Sequence, residues 1–206
     1  MSKAKSSGIK EKRNELYDLV LIAILCALGL AIKPILNPMI HIISSFLRIP
    51  GGSLSGGFLM MWMALARVII DKPGVALLFG VSQGITVMLL GYFGSHGVFT
   101  IISYGMPGLM VEIFALLVKY SKSLIPMCIK KNKDLDYSSQ TWQTLIVLCL
   151  YTVVANITGA VMVAIFVMQV PALLMIITII SACISGLIGG YFANIILHKM
   201  KKYNII

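Results

Sequence analysis

Apolar residues along this chain come in long runs, separated by short polar or glycine-rich breaks. A helix needs about 20 mostly apolar residues to cross a bilayer, and six stretches fit, at roughly residues 16–36, 53–70, 74–91, 99–120, 143–168 and 171–198. The second and third are short, with only Asp71, Lys72 and Pro73 between them. A proline after two charges suits a helix start, because its missing N–H would have no partner there. The pattern predicts an all-α fold, an integral membrane bundle of six transmembrane helices.

Composition agrees. Of the 206 residues, 59% are hydrophobic and 12% charged, with a mean hydropathy of +0.96. A soluble domain carries about 25% charged residues, so this chain has too few to cover a water-facing surface. Its length allows one compact bundle and no sizeable soluble domain. No cleavable signal peptide is expected, because the basic head runs into a full-length apolar span without a clear cleavage site.

The net charge is +10. In a soluble protein that would suggest nucleic acid. Here the basic residues sit in tails and loops, where they meet anionic headgroups, and no nucleic-acid partner is expected. Lys3, Lys5, Lys10, Lys12 and Arg13 lie in the N-terminal tail, Arg67 and Lys72 at the tight turn, and a lysine cluster between Lys119 and Lys133. Lys199, Lys201 and Lys202 close the chain. Only Arg48, with Lys33 just before the same loop, falls on the other side. The excess of basic residues on one side predicts that both termini are cytoplasmic, which agrees with an even number of spans. The expected organisation is a basic cytoplasmic tail over 1–15, a transmembrane domain over 16–198 and a second basic tail over 199–206.

Several function classes drop out. The chain has no P-loop, so it cannot itself hydrolyse ATP in that way, and no H-E-x-x-H or G-x-S-x-G to support protease or lipase chemistry. It has no arginine-rich voltage-sensor helix and no selectivity-filter signature. No catalytic residue and no cofactor is expected. The four cysteines (Cys26, Cys128, Cys149, Cys183) form no C-x-x-C pair and read as small buried hydrophobes. A transporter, a transporter subunit or a small membrane scaffold remains.

The candidate binding residues are polar or aromatic groups inside the spans. Glu112 is the one acidic residue well inside a span, and a carboxylate there must face a partner or a cavity. Tyr104, Gly108 and Glu112 follow at steps of four, on one helix face. That face suits a small ligand; equally, Glu112 pairs with Arg67 and locks the bundle. Gln83 lies between Gly80 and Gly84 in the third span, and Asn156 near mid-depth in the fifth; such amides either bind a heteroaromatic ring or join helices. Trp62 sits deep for an indole, which normally seeks the interface, and reads either as a stacking platform or as packing. His96, in the glycine- and aromatic-rich stretch "LLGYFGSHGVFTIISYG", is a weaker contact in a flexible outer lid.

Small residues supply another signal. Ala23, Ala27 and Ala31 recur every fourth position on the first helix. Lipid tails are as apolar as leucine, so helices associate where small side chains let backbones come close. The stripe serves packing within the bundle or docking to a separate membrane protein. Gly159, with Ala155 four residues earlier, reads as a close-packing point within the bundle.

A basic N-terminus, an Ala-x-x-x-Ala motif on the first of six helices and this chain length resemble the substrate-binding S component of energy-coupling factor (ECF) transporters. "GFLMMWMALARVIIDKPGVALLFGVSQGITVMLLG", residues 57–91, followed by "YGMPGLMVEIFALL", residues 104–117, is similar to the hydroxymethylpyrimidine/thiamine, YkoE-like group. The shared cues are the Gly and Trp opening the second helix, the Lys72–Pro73–Gly74 turn and the Gly-x-x-x-Glu ending at Glu112.

The resemblance implies a non-catalytic membrane receptor in a prokaryotic plasma membrane. It would capture a vitamin or vitamin precursor from outside, a thiamine-related compound first, and pass it through a T component driven by two ABC-type ATPases. The Ala23 and Ala27 stripe, continued by Ala31, would dock the T component. Glu112, Gln83, Tyr104, Trp62, Asn156 and, more weakly, His96 would line a site in the outer half. Nickel and cobalt S components begin Met-His, whereas here Met1 is followed by Ser2, so no metal ligand is expected. S components sharing a fold bind unrelated vitamins, which keeps a cobalamin- or haem-like tetrapyrrole open, with "RIPGGSLSGG", Arg48 to Gly57, as a roomy entrance. The rival readings are a self-contained secondary transporter with Glu112 as proton site, and a scaffold without ligand.

Overall fold

The computed structural model describes residues 2–47, 51–91, 97–120 and 137–203. They form six helices in the order α1 (Ser2–Leu47), α2 (Gly51–Ile70), α3 (Val75–Leu90), α4 (Phe99–Tyr120), α5 (Tyr137–Phe166) and α6 (Ala172–Lys202), with no strand among them. Five contain stretches long and apolar enough to cross a membrane: Glu15–Ile40, Gly52–Ile70, Phe99–Val118, Trp142–Phe166 and Ala172–Lys202. α3 is shorter; its 16 residues span about 24 Å at 1.5 Å per residue. Leu16, Val20, Ile24, Leu173, Ile180 and Ile184 are all more than half exposed. A chain whose outer surface is this apolar is a multi-pass membrane protein, because such side chains belong against lipid.

The helix bounds depart from the sequence expectation mainly at α1. A loop was expected from residue 37, yet the helix runs on to Leu47 with Pro34 and Pro38 inside it. A proline lacks the N–H that would bond four residues back, so these two leave the carbonyls of Leu30 and Pro34 without their helical donors. Transmembrane helices tolerate this where neighbouring groups compensate. α1 also begins at Ser2, within the expected tail, and α6 extends past residue 198 to Lys202. Lys199, Lys201 and Lys202 occupy the last turn of α6, where cations offset the negative end of the helix dipole. The glycine run Gly51 to Gly57 forms the start of α2 rather than an open entrance; Arg48 to Pro50 lie outside the described residues.

α2 is the central helix. Its membrane window is 67% buried, against 28–39% for the other four. It packs on α1, α3, α5 and α6. Small residues set how near each neighbour comes. A Cβ on Gly57 would fall 2.0 Å from the carbonyl oxygen of Ser185, and one on Gly189 would fall 2.2 Å from that of Gly57. Ser185 Oγ donates to the Leu54 carbonyl at 2.5 Å and accepts from the Gly57 N–H at 3.2 Å. The α2–α6 crossing is thus backbone against backbone, joined by hydroxyls, as expected where lipid gives no hydrophobic drive. At Gly159 a Cβ would meet only ordinary contacts at 3.4 and 3.6 Å. The tight points of α5 and α6 are instead Gly186, against Val153, and Gly190, against Cys149.

α2 and α3 join at a turn in which Asp71 (φ 48°) and Gly74 (φ 90°) both take left-handed backbone. Glycine does so without steric cost. Asp71 carries a Cβ there, and its side chain is tied back to Arg67 at 3.2 Å. Lys72 of the turn reaches Asp18 of α1 at 2.5 Å, which brings the N-terminal part of α1 to this same end of the bundle.

Candidate functional site

The bundle holds a cavity of about 310 Å³ at the end opposite the Asp71–Gly74 turn. Five helices build it. α1 contributes Lys33 and Asn37; the first half of α2 contributes Ser53, Gly56, Leu59 and Met60; the first turns of α4 contribute Ser103 and Tyr104. The second half of α5 adds Asn156, Gly159, Ala160, Val163 and Ala164, and α6 adds Thr178. The walls are mainly apolar, with a few polar groups, the usual make-up of a small-molecule site.

Most of those polar groups are already engaged with the protein. Asn156 Nδ2 donates to the carbonyls of Ser53 (3.1 Å) and Ala182 (2.9 Å), so it joins α5 to α2 and α6. Its carbonyl oxygen lies against Gly56, where a Cβ would fall only 1.8 Å away. Ser53 and Ser181 share a hydrogen bond of 2.7 Å. Ser103 Oγ donates to the Thr100 carbonyl at 3.1 Å, and Thr178 Oγ1 to that of Leu174 at 2.8 Å.

Lys33 differs. Its side chain is buried, 3% exposed, and Nζ donates to the Tyr104 hydroxyl across the α1–α4 gap. Among the described residues, no carboxylate lines the cavity. A lysine charge at the middle of a membrane helix costs roughly 2.5–3.5 kcal/mol on insertion scales, so such residues usually face a partner or a cavity and mark function. The sequence pattern grouped Lys33 with the charges of the following loop. The signal that could have found it is its place four residues after Gly29 and seven after Cys26, on the buried face of an otherwise apolar helix.

The expected binding residues divide. Tyr104 and Asn156 line the cavity together. Glu112 does not. Its Oε2 accepts from Arg67 Nε at 3.2 Å and its Oε1 from the Ala76 N–H at 2.8 Å, at the turn end of the bundle. The Tyr104–Gly108–Glu112 face packs on α3: a Cβ on Gly80 would fall 2.3 Å from the Tyr104 carbonyl, and one on Gly108 2.3 Å from that of Ala76. Gln83 and Trp62 are buried against α1, where a Cβ on Gly29 would meet Gln83 Nε2 at 2.8 Å and Trp62 Cδ1 at 3.1 Å. They lie at the α1–α2–α3 junction, outside the cavity lining. His96 lies outside the described residues.

Ala23, Ala27 and Ala31 are exposed. They line an open groove between α1 and α3, with Ser82 and Thr86 opposite. The stripe is therefore not buried by its own bundle. On α1 the close approach within the bundle is made by Gly29 instead.

Among the described residues, no three His, Cys, Asp or Glu side chains cluster as a metal site would require. Residues 17–130, more than half of the chain, match the family model described as "ABC-type cobalt transport system, permease component". No curated protein and no solved structure matches the chain.

Proposed function

Because the chain belongs to the family of permease components of ABC-type cobalt transport systems, we propose that it is the substrate-capturing membrane subunit of an ABC-type importer. It holds a small organic molecule in the cavity between α1, α2, α4, α5 and α6 and is energised by separate ATPases. Both termini and the Asp71–Gly74 turn are cytoplasmic in this reading, as the lysine-rich tails require, and α3 is a short sixth span. The cavity then faces outward, where an importer meets its cargo.

The observation that carries the reading is the cavity itself: a mainly apolar chamber with Tyr104 on its wall, placed away from the basic end. Its volume lies at the lower end of small-molecule sites, which run from about 300 Å³ upward. A vitamin or vitamin precursor of one heteroaromatic ring, such as a hydroxymethylpyrimidine, fits that size better than a tetrapyrrole does. Cobalt as a bare ion has less support, since divalent cobalt favours imidazole, carboxylate or thiolate donors and the described lining offers none. Glu112 is engaged by Arg67 and the Ala76 N–H, which gives a proton-coupled carrier no vacant carboxylate there. The exposed Ala23–Ala27–Ala31 stripe supports docking of a membrane T component, because small side chains let a second helix approach closely.

Affinity purification of the full chain from its own membranes tests this. A pair of ABC ATPases and a T-type membrane protein should co-purify, and uptake by proteoliposomes of that complex should require ATP. Accumulation of solute by the isolated chain along a proton gradient, with no ATPase present, would overturn it.

A further inference from the structure

We propose that the cargo is a small organic anion, whose carboxylate or phosphate is received by Lys33 and the Tyr104 hydroxyl. The inference rests on the reading of the cavity as the cargo site.

The placement of charge carries it. Among the described residues, Lys33 is the only charged side chain lining the cavity. The acidic side chains paired in the structure are Asp18, Asp71 and Glu112, and all three are paired at the turn end with Lys72 or Arg67. Asp18 lies 15 residues before Lys33 on the same helix, about 22 Å away at 1.5 Å per residue. Glu11 and Glu15 are farther still along α1, and Asp134 and Asp136 belong to the segment before α5, outside the described residues. The ammonium thus has a neutral hydroxyl beside it and no described anion in reach.

The donors point the same way. An ammonium has three N–H donors, and one of them meets Tyr104. With its oxygen accepting from Lys33, the phenol still has its own proton to donate. The donors of Ser53, Ser103, Asn156 and Thr178 are engaged with protein oxygens, while Asn37 of α1 adds an amide to the lining. One wall therefore offers two donors and a positive charge, while Leu59, Met60, Val163 and Ala164 offer an apolar surface to the rest of the molecule. A charge-assisted hydrogen bond to an anionic oxygen is the strongest contact this lining can make. A cationic cargo would meet like charge.

The test uses the full chain in phosphatidylcholine nanodiscs and two matched probe pairs: pyridine-3-carboxylate with pyridine-3-carboxamide, and hydroxymethylpyrimidine phosphate with hydroxymethylpyrimidine. In at least one pair the anion should bind tenfold or more tightly than its neutral partner. Lys33→Met should abolish the difference and Lys33→Arg should retain it. Native mass spectrometry of protein purified from its own membranes supplies a readout that needs no variant to fold, and should show a bound anionic small molecule.

Equal binding within both pairs, stronger binding of the neutral members, or an unchanged preference in Lys33→Met would overturn the proposal. So would a retained neutral or cationic compound, which would leave the importer reading standing. A retained anionic phospholipid that disappears in Lys33→Met would place a lipid headgroup on Lys33 and overturn a soluble cargo. If no probe binds and no small molecule is retained, the proposal also falls. Failure of the importer reading shows separately, as ATP-independent uptake.

Discussion

Glu112 of α4 accepts the backbone N–H of Ala76, in the first turn of α3, at 2.8 Å. The first N–H groups of a helix have no partner within it, and Gly74 before α3 makes no side-chain cap. Glu112 supplies that cap from another helix, and its other oxygen accepts from Arg67 of α2 at 3.2 Å. One carboxylate therefore joins three helices, and its negative charge offsets the positive end of the α3 dipole.

Glu112→Gln should for that reason act on stability. The amide keeps an acceptor for Ala76 and loses the charge opposite a buried guanidinium, although Asp71 remains beside Arg67. Hydrogen bonds to charged groups contribute about 1.5–3 kcal/mol, so a loss of about 2 kcal/mol is expected. The unfolding midpoint in detergent should drop by several degrees, while the protein that stays folded should bind its cargo as before. A large loss of affinity at unchanged stability would move Glu112 into the binding site.

Gly80→Ala and Gly159→Ala should differ sharply. The added Cβ at Gly80 would meet the Tyr104 carbonyl oxygen at 2.3 Å, a backbone atom that cannot rotate away. Overpacking of this kind costs about 1–3 kcal/mol, and separation of α3 from α4 should lower the midpoint accordingly. At Gly159 the nearest atoms are 3.4 Å away, so folding should be unaffected. Because Gly159 lines the cavity, its extra methyl should instead weaken cargo binding. Equal midpoints for the two variants would refute the backbone contact at Gly80.

Asn156→Leu should loosen the floor of the cavity. It removes the donations to Ser53 and Ala182 and leaves two carbonyls of α2 and α6 without that partner. Interhelical hydrogen bonds in membranes average about 0.6 kcal/mol each, so a loss of roughly 1–2 kcal/mol is expected. Cysteine cross-linking between α2 and α5 should become less efficient in the variant; an unchanged pattern would count against the amide as the tie.

Ala23→Trp together with Ala27→Trp should leave the isolated chain folded and able to bind cargo. Both positions are exposed along the α1–α3 groove. Co-purification of a T-type partner and ATP-driven uptake should both be lost. If the partner still co-purifies at full yield, the stripe is not its docking surface.

Much of this protein was legible in its sequence. Run length and the scarcity of charge determined an all-helical membrane chain, and the bounds of α2, α3 and α4 agree with the apolar runs to within two or three residues. This follows because hydrocarbon leaves backbone polar groups only each other to bond with. The pairing of Glu112 with Arg67 was one of two open readings, and Tyr104 and Asn156 were both picked out as polar groups inside spans. Tertiary structure decided which of these groups meet. Helix periodicity identifies a face but not its neighbour, so the Tyr104–Gly108–Glu112 face was legible while its contact with α3 was not. Gln83 and Trp62 were likewise visible as unusual residues, yet only the approach of Gly29 located them at the α1–α2–α3 junction. Lys33 escaped notice because it sits in sequence beside a loop, and two prolines disguised the continuing helix. Its burial beside Tyr104, 71 positions away, exists only once the folded bundle brings these two side chains of α1 and α4 together.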